Sequence, residues 1–249
     1  MTTLLRLVGA ACPEAFGLDF RLMGRLHRRT PGASSMVCGN GFLMSRSTTN
    51  AAYISGVNER AYMRLLASLI RPGQTVYNVG ANVGYLALWL SRRFGGLVRV
   101  VGFEPEPGTA SMMADNIALN PSLLVSLEPV GLGNFDGVAT LYSSGAGDGA
   151  AALAPRDAPG VAVQLVRLDT YQAAAGTKPD WLIVDVEGFA GDVMAGGLET
   201  IRECRPAVAA EIHSPEERAA ISDVLLPFGY IAAHELDGIW GNHVVWLVP

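Results

Sequence analysis

Basic residues are scarce in this 249-residue chain: 18 Lys and Arg stand against 23 Asp and Glu, the formal charge is −5 and the pI is near 5.4. That balance offers no positive stripe for a phosphate backbone, so general nucleic-acid binding is not expected. Charge of either sign is sparse at 16% while half the residues are apolar, which supports one well-buried, larger globular domain. Cysteine is scarcer still. Cys12, Cys38 and Cys204 are odd in number, far apart and without C-x-x-C spacing, which argues against a disulfide framework or zinc pair and for reduced thiols in a cytoplasmic protein. No run reaches the about 20 apolar residues of a membrane span. The opening "LLRLVGAAC" has a short apolar stretch interrupted by Arg6 and is not read as a leader.

What is present is a rhythm. From Val76 onward short apolar runs alternate with helix-length segments, the pattern of an α/β fold on a mainly parallel sheet. "TVYNV" reads as a buried first strand and "LVRVVGFEP" as a second; between them "YLALWLSRRF" sets Leu86, Trp89, Leu90 and Phe94 at helical spacing. Pro107 suits the first turn of a further helix with Met113, Ile117 and Leu119 on its apolar side, stopped by Asn120 and Pro121. "LLVSLEPV" is a third strand. "VATLYSS" and "VAVQLVRL" then alternate in period two across a Gly/Ala/Pro-rich connection, which predicts an inserted antiparallel hairpin. Strands resume at "WLIVDVE", "AVAAEIH", "YIAAHEL" and "HVVWLVP", with helices around Val193 to Arg202 and Pro215 to Leu226, so the main sheet has seven strands. Only "DGIWGN" separates the last two, too short for a helical crossover, so the final strand runs antiparallel to its neighbour. Residues 1–70 form an N-terminal cap, with an amphipathic helix in "FRLMGRLHRR" and a hairpin around Gly39, Asn40 and Gly41, and residues 71–249 form the principal domain.

Four motifs carry chemistry. In "VYNVGANVGYLALWL" a strand, two glycines and a helix bring backbone amides against a ligand. Asn82 stands where a dinucleotide fingerprint has its middle glycine, so a pyrophosphate fits poorly, whereas Asn82 can donate and accept. Glu104 ends the second strand, 24 positions after Gly80, suited to two ribose hydroxyls. "IVDVEGF" places Asp185 and Glu187, and "AAEIHSP" places Glu211 and His213, at strand ends with i, i+2 spacing. Neighbouring strands lie about 5 Å apart, so the four polar groups can converge. The bland alternatives are that Asn82 caps a helix and that the carboxylates decorate solvated strand ends.

Together "NVGANVG" from Asn78 to Gly84, "GFEPEP" around Glu104, "DVEG" from Asp185 and "EIH" from Glu211 to His213 resemble FkbM-type methyltransferases, as does the lead-in "YISGVNERAYMRLL". The resemblance covers Tyr53 to Pro249 and implies a class I, Rossmann-like three-layer sandwich whose antiparallel last strand suits methyltransferases that use S-adenosylmethionine. It implies methyl transfer from that cofactor to a hydroxyl oxygen of a glycan, polyketide or other specialised metabolite. The expected cofactor-binding set is Asn78, Gly80, Asn82, Gly84, Glu104, Pro105, Gly131 and Asp185. Two positions depart from the family: Asn78 replaces the usual aspartate, and Ala190 replaces a glutamate just beyond "DVEG".

An alcohol is a poor nucleophile, so a base is needed, and His213 is the candidate, oriented by Glu211 or Glu187, with Asp185 near the cofactor's amino-acid end. A divalent ion held by Asp185, Glu187, Glu211 and His213 is a competing reading, and metal is not counted among the expected cofactors. His27 and His234 are read as structural; His243 reaches the site only if its strand end faces it. A nicotinamide-dependent oxidoreductase and a non-catalytic cofactor-binding scaffold are the rival functions. Acceptor specificity is expected in the first 70 residues, in the insertion from Gly145 to Gly160 and at the loop of Trp240, with Tyr53 and Tyr142 as further candidates.

Overall fold

The computed structural model describes residues 35–37, 40–45, 48, 59–147, 149, 151–153, 157–238 and 242–249. The expected helix in "FRLMGRLHRR", and Cys12, His27, Cys38, Tyr53 and Trp240, lie outside them.

Strand β3 (Thr75–Val79) is central in a seven-stranded sheet, flanked by β4 (Arg99–Phe103) and β5 (Val125–Glu128) on one side and by β9 (Trp181–Val184) and β10 (Ala207–Ile212) on the other, all parallel. Such strands are covered on both faces, which is why they read as nearly unbroken apolar runs. The chain ends with β11 (Ile231–Asp237) and β12 (Asn242–Leu247), and β12 inserts between β10 and β11, antiparallel to both. The seven strands and the antiparallel last strand are as expected from the short "DGIWGN" connection.

Successive residues of β3 serve opposite layers. Tyr77 and Val79 pack with Leu182 and Val184 against one group of helices: α5 (Ala190–Ala195), α6 (Leu198–Cys204) and α7 (Pro215–Leu225). Val76 packs with Val100 and Ile183 against the other, α1 (Arg60–Leu69), α2 (Tyr85–Arg93) and α3 (Pro107–Ala118). Asn78 shares the face of Val76 and is 2% exposed. The result is three layers. Among the described residues no helix is long and apolar enough to cross a membrane.

Three details differ from expectation. The predicted single helix over Val193 to Arg202 is two, α5 and α6, parted at Gly196 and Gly197; Gly196 comes so close to Gly133 that a Cβ there would lie 1.8 Å from the Gly133 carbonyl oxygen. Asp169 then caps α6, accepting from Thr200 N–H at 2.8 Å and Glu199 N–H at 3.2 Å. Asp169 lies on an unforeseen helix, α4 (Leu168–Ala175). The inserted hairpin of β7 (Gly137–Tyr142) and β8 (Gly160–Arg167) is present, but β6 (Gly131–Gly133) joins it, parallel to β8. "GLG" carries no strand signal; at Gly131 a Cβ would meet Leu165 at 2.6 Å, so glycine permits the close approach.

The N-terminal hairpin is also formed, β1 (Ser35–Val37) pairing antiparallel with β2 (Leu43–Ser45). Asn116 and Asn120, one turn apart at the end of α3, hold β2: Asn116 Oδ1 accepts from Ser45 N–H at 2.7 Å, and Asn120 exchanges bonds of 2.9 and 2.7 Å with Leu43.

Candidate functional site

The C-terminal ends of β3, β4, β9 and β10 open into two adjoining crevices of about 700 and 620 Å3, with Gly80, Asn82 and Asp185 in the walls of both. Ligands of open α/β sheets sit at such strand ends.

The first crevice is organised by Glu104. One carboxylate oxygen accepts from Asn82 N–H at 2.9 Å and the other from Glu106 N–H at 3.0 Å. Burial pushes the Glu104 carboxyl up to about 7, against the opposing pull of those two backbone donors. Asn82 presents its N–H from a left-handed backbone, φ 48°, and its own Oδ1 accepts from Val83 N–H at 2.7 Å; the cap residue of α2 is Gly84, so Asn82 is a turn former rather than a helix cap. Gly80 is obligatory here, since a Cβ would stand 1.8 Å from the Asp185 carbonyl oxygen and φ is 79°. Pro105, Gly131 and Leu132 complete one wall, and Gly149 with Ala151 to Leu153 of the insertion closes over it. Tyr142 lines neither crevice; it pairs with Gly160 across the hairpin.

Four of the sequence-selected polar groups meet beside the second crevice. β9 ends at Val184, so Asp185 and Glu187 stand on the following loop, not on a strand face, and β10 ends at Ile212, just before His213. His213 Nε2 nevertheless lies 3.9, 3.8 and 3.8 Å from Asp185, Glu187 and Glu211 oxygens, too long for hydrogen bonds. The carboxylate that pairs with His213 is neither Glu211 nor Glu187. It is Glu217 on α7, whose Oε2 accepts from His213 N–H at 2.9 Å and lies 3.3 Å from His213 Nδ1, a buried ring nitrogen that makes no hydrogen bond. Glu217 also accepts from Ala190 N–H at 3.4 Å, so a carboxylate from α7 meets the backbone just beyond "DVEG".

Electrostatics follow from this packing. The Glu217 carboxylate beside Nδ1 raises His213 to about 9, over the opposing effect of burial, with Glu187, Asp185 and Glu211 adding to it. Burial alone would raise Glu217, but His213 and two backbone N–H groups hold it below the ordinary range. Glu211 is raised by burial, partly offset by His213. Asp185 also lies above the aspartate range, because the crevice wall dehydrates its inner side and Glu211 and Glu59 repel it; its side chain is 48% exposed, and that solvent access limits the shift.

Two residues enter that sequence reading did not place here. Glu59, in a left-handed conformation just before α1, is raised to about 7 by burial and by Glu211. His243 on β12 does face the site: it is 4% exposed, 3.7 Å from Glu211, stacked on Tyr62, and lowered to about 4 by burial and by His213. Among the described residues two groups have ligand atoms within 4.8 Å of one another, Asp185–Glu211–His213 and Glu59–Glu211–His243; Glu187 is in neither. His234 sits instead at a bulge on β11. Glu59 lies within the lead-in "YISGVNERAYMRLL", where no spacing singles it out from its neighbours, whereas Glu217, three positions after Ser214, is visible as a capping signal.

Comparison with known proteins identifies the family. The chain matches the family model described as the methyltransferase FkbM domain over residues 78–235, more than half its length. It is similar to the structure of a methyltransferase FkbM from Methylobacillus flagellatus KT, with 16% identity and a TM-score of 0.55 over 72% of this chain and 45% of that one. It is also similar to a precorrin-6y C5,15-methyltransferase from Geobacter metallireducens GS-15, with 9% identity and a TM-score of 0.50 over 82% and 92% of the two chains. The chain thus spans less than half the length of the Methylobacillus relative. No curated protein matches it. The fold is that of class I methyltransferases, and the chain belongs to the FkbM methyltransferase domain family.

Proposed function

We propose that this protein transfers a methyl group from S-adenosylmethionine to a hydroxyl oxygen of a small molecule or glycan. The observation that carries the reading is Glu104: each of its oxygens already accepts one backbone N–H, which fixes the carboxylate in the crevice and leaves lone pairs for two vicinal hydroxyls. A ribose presents that pair of hydroxyls. The apolar walls at Leu132, Leu141 and Leu165 suit an adenine, and no phosphate is needed where Asn82 replaces a glycine. Asn78 Oδ1 is buried without a partner in the wall of the adjoining crevice, where a cofactor ammonium can supply the missing donor, directly or through ordered water. Asp185, shared by both crevices, faces the same end.

When bound, S-adenosylmethionine supplies a methyl group activated by its sulfonium. The chain's own task is to align an acceptor oxygen with that methyl and to remove its proton. His213 Nε2 is the proposed base, with Glu217 holding its backbone N–H and pairing with Nδ1, while Glu187 and Glu211 balance the charge that the imidazole gains. Because Glu217 raises His213 to about 9, the resting ring is protonated at neutral pH, and kcat/KM should climb as pH rises toward 9. A profile flat from pH 7 to 9 would move the base to a carboxylate.

Calorimetric titration with S-adenosylhomocysteine and with NADH tests the cofactor, and radiolabelled methyl transfer to a panel of hydroxylated acceptors tests the reaction. Saturable NADH binding with none for S-adenosylhomocysteine overturns the reading. Asn78→Asp probes the departure from the family: tighter S-adenosylmethionine binding marks the asparagine as a weakened anchor, and unchanged binding shows that charge is not required there.

A further inference from the structure

We propose that Glu59, Glu211 and His243 form a binding site for one divalent first-row metal ion, which ties the start of α1 to the ends of β10 and β12. Each of these residues offers a ligand atom, and the three atoms lie within 4.8 Å of one another. Glu211 Oε2 and His243 Nε2 are 3.7 Å apart. That separation is too long for a hydrogen bond, yet two atoms each about 2.1 Å from one ion stand roughly 3 to 4.2 Å apart.

The cluster is more than a group of acids. His243 is 4% exposed and its Nε2 is buried with no hydrogen-bond partner, aimed at Glu211. Stacking on Tyr62, with ring centroids 3.9 Å apart and planes 25° from parallel, fixes the imidazole plane, so the nitrogen is presented in one direction. Buried donors and acceptors are seldom left unmatched, and one on His243 aimed at paired carboxylates calls for a cation. One imidazole with two carboxylates suits Mn2+, Fe2+ or Zn2+ better than Mg2+ or Ca2+, which favour oxygen alone.

The site does not overlap the proposed base. His213 binds Glu217 and faces the other oxygen of Glu211, so Glu211 would carry the ion on one side and the base on the other. Occupancy would then anchor Glu59, and with it Tyr62 and α1, over the crevice. The inference stands apart from the methyl-transfer reading, because it needs only these residues.

The test is Mn2+ binding to the full chain stripped with EDTA, followed by the loss of the free-ion electron paramagnetic resonance signal. One equivalent should bind in the micromolar range, and Glu59→Gln and His243→Ala should each weaken it at least tenfold, with circular dichroism to verify folding. Should His243→Ala fail to fold, Glu59→Gln decides. No saturable binding below millimolar Mn2+, or binding unchanged in Glu59→Gln, overturns the proposal. The titration is repeated in saturating S-adenosylhomocysteine: retained binding supports a separate metal site, and exclusion of the ion overturns it by making the cofactor's ammonium the cation. Metal binding without S-adenosylhomocysteine binding would sink the cofactor reading alone.

Discussion

Glu104 and Glu211 are both buried carboxylates at the ends of sheet strands, 8% and 6% exposed, and burial raises both. Their surroundings differ. Glu104 is held by two backbone N–H donors at 2.9 and 3.0 Å, whereas the imidazoles nearest Glu211 stand 3.7 and 3.8 Å away. Backbone donors come with the turn and cannot rotate away, so the Glu104 side is organised before any ligand arrives. The Glu211 side is built from side chains alone and retains unmatched atoms on His213, His243 and Asn78. One half of the crevice is fixed by backbone donors; the other rests on side chains whose buried polar atoms are still unmatched.

The largest effect expected from breaking this contrast is at Gly80, the hinge common to both halves. Gly80→Ala puts a Cβ 1.8 Å from the Asp185 carbonyl oxygen at a φ of 79°, and should lower stability by more than about 3 kcal/mol, read by chemical denaturation. An unchanged midpoint would mean that the turn can open. Next is Glu104→Ala, which removes the fixed carboxylate; losing two charged hydrogen bonds to a ligand should weaken S-adenosylhomocysteine binding about 100-fold or more by calorimetry.

Glu217→Gln should act on the other half only. Its His213 should titrate near the ordinary value of about 6.5 instead of about 9, measured by NMR, while S-adenosylhomocysteine binding stays within a factor of a few. The stability sign follows. A raised histidine contributes fully below its unfolded pKa of about 6.5 and loses that contribution as pH rises through about 9, so the wild-type melting temperature should carry a decline between pH 6.5 and 9 that Glu217→Gln flattens. The depressed Glu217 carboxyl adds stability above the ordinary glutamate range, lost as pH falls through its folded value. The smallest effect is at Ser214, the N-cap of α7, whose side chain accepts from Glu217 N–H at 3.1 Å. Ser214→Ala should cost about 1 kcal/mol in denaturation while leaving cofactor binding unchanged.

Much of this contrast is legible along the chain on the Glu104 side. Gly80, Asn82, Gly84 and Glu104 belong to consecutive strand, turn and strand, so local periodicity and turn chemistry are enough to place them. The polar half is less legible. Asp185, Glu187, Glu211 and His213 announce themselves at strand ends, but Glu217 meets His213 only because α7 folds back beneath the β10 end, and His243 arrives on an antiparallel strand from the chain's far end. Gly196 must be glycine for a reason found at Gly133, 63 residues earlier, which no local pattern carries.

By itself, then, the sequence determined the alternating α/β plan, the antiparallel end of the sheet and the turn suited to a ligand without a pyrophosphate, because each depends on periods and spacings within a few dozen residues. Only the tertiary structure decided which carboxylate pairs with His213, that Asn78, His213 and His243 each keep an unmatched buried atom, and that Glu59 joins Glu211 and His243. Those outcomes depend on burial and on the approach of distant segments, and both exist only once the layers have packed.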